Sequence, residues 1–257
     1  VRIMAYTTID DPSAYFQTVL WSGSGSGQAI TNGGNSDLQP DWVWIKKRAG
    51  GTARSHQLYD STRGVTKLLH SDANNAEETQ SAGLTAFGSD GFTVGDNDGV
   101  DGSGGTYVAW QWKANSGSTS TDTSGDIDAD IQANQTSGFS IVTFTSNGNS
   151  NQTVPHGLGA APEVFWVKTR SATGSWACYF KAIASGSGKD YYISLNSTSA
   201  ASTNVVWGNT DPTSTLLTID TDSVAGGTPT MVAYCFKEKQ GYSKFGSYTG
   251  NGHATDG

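Results

Sequence analysis

The densest group of carboxylates is "GDNDGVDGSGG", Gly95 to Gly105, where Asp96, Asp98 and Asp101 crowd hard oxygen ligands into a Gly-rich loop. Ca²⁺ is the cation such a loop would take. No Glu follows at the twelfth position and no flanking helix is visible, so a solvated hairpin that uses Gly and Asp for its turn is the stronger reading, and no cofactor is expected. The second half of the chain has "IDTDSVAGG" at the equivalent place, with Asp220 and Asp222. Adjacent acids at Asp10 and Asp11 and at Glu77 and Glu78 invite comparison with glycoside hydrolysis, which needs two carboxylates at a set separation. In polar segments such neighbours read as solvated. His56 lies near Asp60 and Ser61, yet no Gly-x-Ser-x-Gly elbow presents a nucleophile. "SGSGSG" at Ser22 to Gly27 lacks the Lys-Ser/Thr and the helix of a phosphate loop. No catalytic residue is assigned.

Binding candidates come next. "LYDSTRGVTKLLHS", Leu58 to Ser71, mixes polar and apolar residues most densely. Its structural reading is an Asp60–Arg63 pair pinning a loop, worth at most about 1 kcal/mol if exposed. Its functional reading is a saccharide contact through Tyr59, Asp60 and Arg63. Eight Trp and ten Tyr extend that idea, because an aromatic face offers flat apolar surface with a polar handle. Most of these rings sit in alternating strands and read as core. Trp21, Trp176 and Trp207 lie beside Gly or Ser turns and are the candidates for exposure. The glycan-contact set is thus Tyr59, Asp60, Arg63, Trp176 and Trp207.

The elements that must position these residues are strands. Charged residues make up 15% of the 257 and Gly supplies 33 positions, the composition of many short strands joined by turns. No window has the spacing of an amphipathic helix, and "DANNAEETQ", Asp72 to Gln80, is polar all round. A net charge of −8 argues against nucleic acid, which needs clustered Lys and Arg. No apolar run approaches the roughly 20 residues of a membrane span, and no leader peptide is visible. Cys178 and Cys235 read as reduced, buried thiols, with a bridge left open. His56, His70, His156 and His253 never fall near a cysteine at zinc-ligand spacing.

An internal repeat organises the chain. "DWVWIKKR" from Asp41 returns as "EVFWVKTR" from Glu163, an offset of 122, each behind a Pro. "YVAWQWKA" from Tyr107 returns as "MVAYCFKE" from Met231, an offset of 124. "FQTVLWSGSGS" from Phe16 is echoed from Phe139 and again in "FGSYTGNGH" from Phe245. The expected organisation is an N-terminal segment 1–14, a module over 15–114, a Ser/Thr/Gly/Asp-rich linker over 115–137, a second module over 138–240, and the start of a third over 241–257. "DIDADIQA" within the linker alternates and could supply an edge strand. Trp42 and Trp44 share one face of their strand and Val43 and Ile45 the other, both apolar, as inside a sandwich. The fold class is all-β: two tandem antiparallel jelly-roll sandwiches plus the first strand of a third module.

The combination "DLQPDWVWIKKR", "DSTRGVTKLL", "SDGFTVG", "GGTYVAWQWKA" and "VAYCFKEKQGYSKFGSYTGNG" resembles tandem-repeat virion proteins of marine and cyanobacterial tailed phages. The resemblance covers nearly the whole chain and is looser in the middle of the second module. It implies concanavalin-type lectin sandwiches in tail, fibre or surface proteins, with no catalytic residues to carry over. It also implies that "MAYTTIDDPSAYFQT" is the end nearest the virion and that the chain continues past Gly257. The expectation is a virion-located structural protein, not an enzyme, presenting modules for contact with host surface polysaccharide. Its partners would be other virion proteins and further copies of itself, trimers by fibre habit, with neither nucleic acid nor membrane insertion. The alternatives are a capsid or neck decoration protein whose interfaces are its function, and a polysaccharide depolymerase.

Overall fold

The computed structural model describes residues 6–220, 224 and 226–251; Asp222, His253 and the first residues of the chain lie outside them. The first repeat contains β1 (Phe16–Ser22), β2 (Gln28–Thr31), β3 (Trp42–Ala49), β4 (Gln57–Asp60), β5 (Lys67–Leu68), β6 (Glu78–Thr79), β7 (Leu84–Gly88), β8 (Gly91–Val94) and β9 (Thr106–Trp112). The second contains β10 (Ser120–Asp122), β11 (Ala129–Asn134), β12 (Phe139–Thr145), β13 (Gln152–Pro155), β14 (Val164–Thr169) and β15 (Ala177–Phe180). It continues with β16 (Tyr191–Ser194), β17 (Ser202–Thr203), β18 (Leu216–Ile219) and β19 (Thr230–Phe236). All named ladders are antiparallel. The described helical turns are short 3₁₀ segments such as Pro12–Ala14, in keeping with the missing amphipathic pattern.

The repeat is visible in the topology. One sheet runs β1-β9-β3-β4, and the same order returns as β12-β19-β14-β15 inside an eight-stranded sheet. Each has a smaller sheet on one face, β2-β8-β7 in the first repeat and β13-β18 in the second. Side chains alternate across a strand, so one face of each main sheet closes its own sandwich. Val43, Ile45, Tyr107 and Ala109 pack with Ile30, Phe92 and Val94. Phe165, Val167, Met231 and Ala233 pack with Val154, Leu217 and Ile219.

The opposite faces meet each other. Trp42, Leu58, Leu69 and Ala114 of the first repeat share a third core with Phe139, Ile141, Val164, Trp176, Val232 and Tyr234 of the second. Both faces of β3 are apolar because one covers its own sandwich and the other covers the neighbour. The segment expected as a linker is drawn into this body. β11 pairs with β12 and β10 pairs with β11, so "DIDADIQA" does contribute a strand, lying along the main sheet.

Residues 245–250 form no strand among the described residues; Phe245 instead packs on Phe236, ring centroids 6.0 Å apart. Cys178 faces the shared core and Cys235 the second repeat's own core, both free and buried. Burial pushes each thiol up to about 12.

Candidate functional site

The seam between the two main sheets holds Asp60, Arg63 and Trp176 of the side chains singled out by sequence. Its apolar half is aromatic. Trp42 stacks on Tyr234 at 4.5 Å and on Phe139 at 5.7 Å. Trp44 and Trp166, the same position in the two repeats, meet edge to face at 5.8 Å. Such pairs add roughly 0.5–1.5 kcal/mol each beyond the area they bury.

The polar half is an ionic chain crossing the seam. Asp60 ends β4 and accepts the backbone N–H of Arg63 at 2.8 Å, the turn geometry that its position favours. The Arg63 guanidinium donates to the other Asp60 oxygen, with both side chains fully buried. Tyr234 Oη, from β19 of the second repeat, donates to that same oxygen at 2.6 Å. Arg63 also donates to Glu77 at 2.9 Å and to the carbonyls of Leu58 and Lys67 at 3.0 Å. Glu77 then receives a two-pronged contact from Arg170 of the second repeat, 2.9 and 3.0 Å. Burial opposes the charge on Arg63, but Asp60 and then Glu77 outweigh it and the guanidinium stays protonated. Burial likewise works against the Glu77 carboxylate, and the two arginines still hold it below its ordinary value. Both oxygens of Asp60 and of Glu77, and all three guanidinium nitrogens of Arg63, have hydrogen-bond partners, which is what a buried charge requires.

Further contacts hold the chain around the seam, and one of them, from Trp176, crosses it. The Asp41 carboxylate collects the N–H groups of Ala114, Ser116 and Gly117 at 2.6–2.8 Å, holding the chain as it leaves β9. Glu163, its counterpart, accepts from the Glu238 N–H and the Lys237 ammonium where the chain leaves β19. Trp176 Nε1 donates to the His70 carbonyl at 2.8 Å across the seam. Lys168, fully buried, donates to the Thr169 carbonyl at 2.8 Å, and burial lowers its ammonium to about 8.

These placements correct the glycan-contact set. Tyr59, Asp60, Trp176 and Trp207 are 0% exposed and Arg63 is 7% exposed, so none offers a face to a sugar. Tyr59 belongs to the first repeat's core, with Oη donating to Gln57 at 2.6 Å. Trp207 belongs to the second repeat's core and donates to the Tyr191 carbonyl at 2.9 Å. A Gly or Ser turn beside a Trp does not mark exposure; Trp21 too is half-buried, stacked on Tyr107 at 5.3 Å. The Asp60–Arg63 pair is buried and networked, not an exposed pair.

The acidic loop is corrected as well. Asp96 is exposed, while Asp98 is neutralised by Lys47 and Arg54, each at 2.6 Å. Asp101 is buried and saturated by the Ser24 and Gly27 N–H groups, the Ser24 hydroxyl and the Gln28 amide at 2.5–3.0 Å. "SGSGSG" is therefore a nest of N–H donors, with Gly25 and Gly27 at φ of 72° and 78°, wrapped on a carboxylate of the protein itself. Among the described residues no cluster of His, Cys, Asp and Glu could hold a metal ion. His56 Nδ1 accepts the Trp44 indole N–H at 2.7 Å, so its ring supports the seam.

Sequence reasoning missed Glu77 and Arg170. Glu77 read as solvated beside Glu78 and Arg170 was not singled out; the only pointer was that Arg48 and Arg170 end the same repeated block. An open cleft of about 620 Å³ lies at the polar end of the second repeat's sheet, lined by Thr121, Asp126, Asp128, Asp130, Thr143 and Arg170 among others. No curated protein and no solved structure matches the chain. Residues 11–257 match a family described as a domain of unknown function, DUF7483, and the chain belongs to that family.

Proposed function

We propose that this chain is a structural, non-enzymatic component of a phage particle, acting as a rigid paired-sandwich body whose interfaces are its function. The observation that carries this reading is the seam. Of the side chains expected to meet a ligand, Asp60, Arg63 and Trp176 join the two repeats, while Tyr59 and Trp207 are packed inside the separate sandwiches. A binding module leaves such groups in a cleft with perturbed acids and bases, whereas a load-bearing body uses them to remove the hinge between its units. The phage assignment rests on the sequence resemblance. Mass spectrometry of purified particles encoded beside this chain tests it: stoichiometric recovery is expected, and absence from intact particles would overturn it.

Contact with host polysaccharide is a second reading, moved from the buried aromatics to the open cleft beside Asp128 and Asp130. Threonine hydroxyls, carboxylates and Arg170 there offer donors and acceptors suited to a polyhydroxylated ligand. Titration with host surface polysaccharide is expected to give heat that Asp130→Ala abolishes; no heat at millimolar sugar would remove this reading.

A further inference from the structure

We propose that the outer edge of β1 pairs antiparallel with β1 of a second copy of this chain, joining two main sheets into one continuous sheet. β1 is seven residues long and contains no charge, Pro, Gly or bulge. Natural edge strands are usually protected by such devices. The other sheet edges among the described residues are shorter: β10 has three residues and an Asp, β17 has two, β2 has four, and β7 has five with a bulge. β4 is covered by backbone bonds between Leu58 and Leu69.

The internal repeat shows what this edge accepts. β12 stands where β1 stands, each paired on its inner side with the last strand of its repeat. The outer side of β12 is filled by β11, with Ile141 opposite Gln132 and Thr143 opposite Asp130. No described strand fills the corresponding side of β1.

Register selects a second copy. The bonds Gly23 N–H to Gly105 O and Lys113 N–H to Tyr15 O fix the odd-numbered residues of β1 as those bonded to β9. By the antiparallel alternation, Thr18 and Leu20 direct their N–H and C=O groups outward. A two-fold axis at Val19 sets Thr18 of one copy against Leu20 of the other, so both outward pairs close at once and no charge meets its like. The same step covers the Leu20 side chain, 60% exposed, on the face that carries Val108, Trp110 and Trp44 toward the seam. The new contact is thus continuous with the established one.

Sedimentation of the full chain at high concentration, with Leu20→Lys and Thr18→Pro alongside, tests the pairing. The Pro variant removes only an outward N–H and leaves the β1–β9 ladder intact. The expected result is a mass of two copies, falling to one in both variants while near-UV circular dichroism is unchanged. Amide exchange at Thr18 and Leu20 in the unaltered chain should slow at least about tenfold as concentration rises. A one-copy mass, a three-copy mass, or a two-copy mass retained by both variants would overturn the proposal.

Discussion

Two groups of carboxylates in this chain look alike in sequence and serve opposite ends. Asp96, Asp98 and Asp101 lie within six positions of one another, and their partners are local to one end of the first repeat. Asp60 and Glu77 are separated by an arginine loop and a polar strap, yet they join Arg63 and Arg170 into one chain across the seam. Density of charge marked the first group; long-range partnership marks the second. Asp60 and Arg63 are also fully buried, so removing either leaves the other without solvent.

That contrast can be broken by substitution. The largest effect is expected for Asp60→Asn, which strips the Arg63 guanidinium of its buried counter-charge and should cost about 3–5 kcal/mol in urea unfolding. Paired with Tyr234→Phe in a double-mutant cycle, it should show coupling of about 1–3 kcal/mol, because the two share one carboxylate oxygen across the repeats. Glu77→Gln comes next, at about 1–3 kcal/mol at neutral pH, since it weakens contacts to two arginines while Arg170 keeps some solvent.

The pH dependence of these variants sharpens the contrast. The folded Glu77 sits below its ordinary value of 4.5, so it stabilises the fold above that pH and the benefit is lost as pH falls through the folded value. Acid titration of Tm should therefore be steeper for the unaltered chain than for Glu77→Gln. Lys168 runs the other way. Its ordinary value is 10.5 and the folded value is about 8, so between the two the unfolded chain holds more protons and stability rises with pH. Lys168→Met should be the more stable below pH 8, with the gap narrowing toward pH 10; a constant gap would mean the ammonium is not taken from water. The smallest effect belongs to the acidic loop: Asp98→Asn should cost no more than about 1 kcal/mol and show no coupling to Asp60→Asn.

Much of the fold was legible. Alternation in "DWVWIKK" gave the strand and its two apolar faces, and the offsets of 122 and 124 marked the two halves that share one sheet order. Periodicity reports that a face is covered, not by what. Trp42 therefore read as sandwich core when its ring lies against the other repeat. The site was less legible for the same reason. Asp60 and Arg63 were found because they are three residues apart, but their burial comes from Tyr234, which is 174 positions away. "DANNAEETQ" looked like a solvated stretch; its Glu77 N–H bonds to the Arg170 carbonyl and its Asn74 carbonyl accepts from Gly174, so it straps the repeats together. A polar segment with no periodicity carries no sign of which distant donors it will meet.

The joining of two repeats into one folding unit is tested most directly by urea unfolding of the whole chain, followed by both Trp fluorescence and far-UV circular dichroism. A shared core and a buried ionic bridge require a single coincident transition for the two signals. Two separated transitions, or a fluorescence change complete while half the strand signal persists, would contradict it and return the chain to two independent domains on a tether.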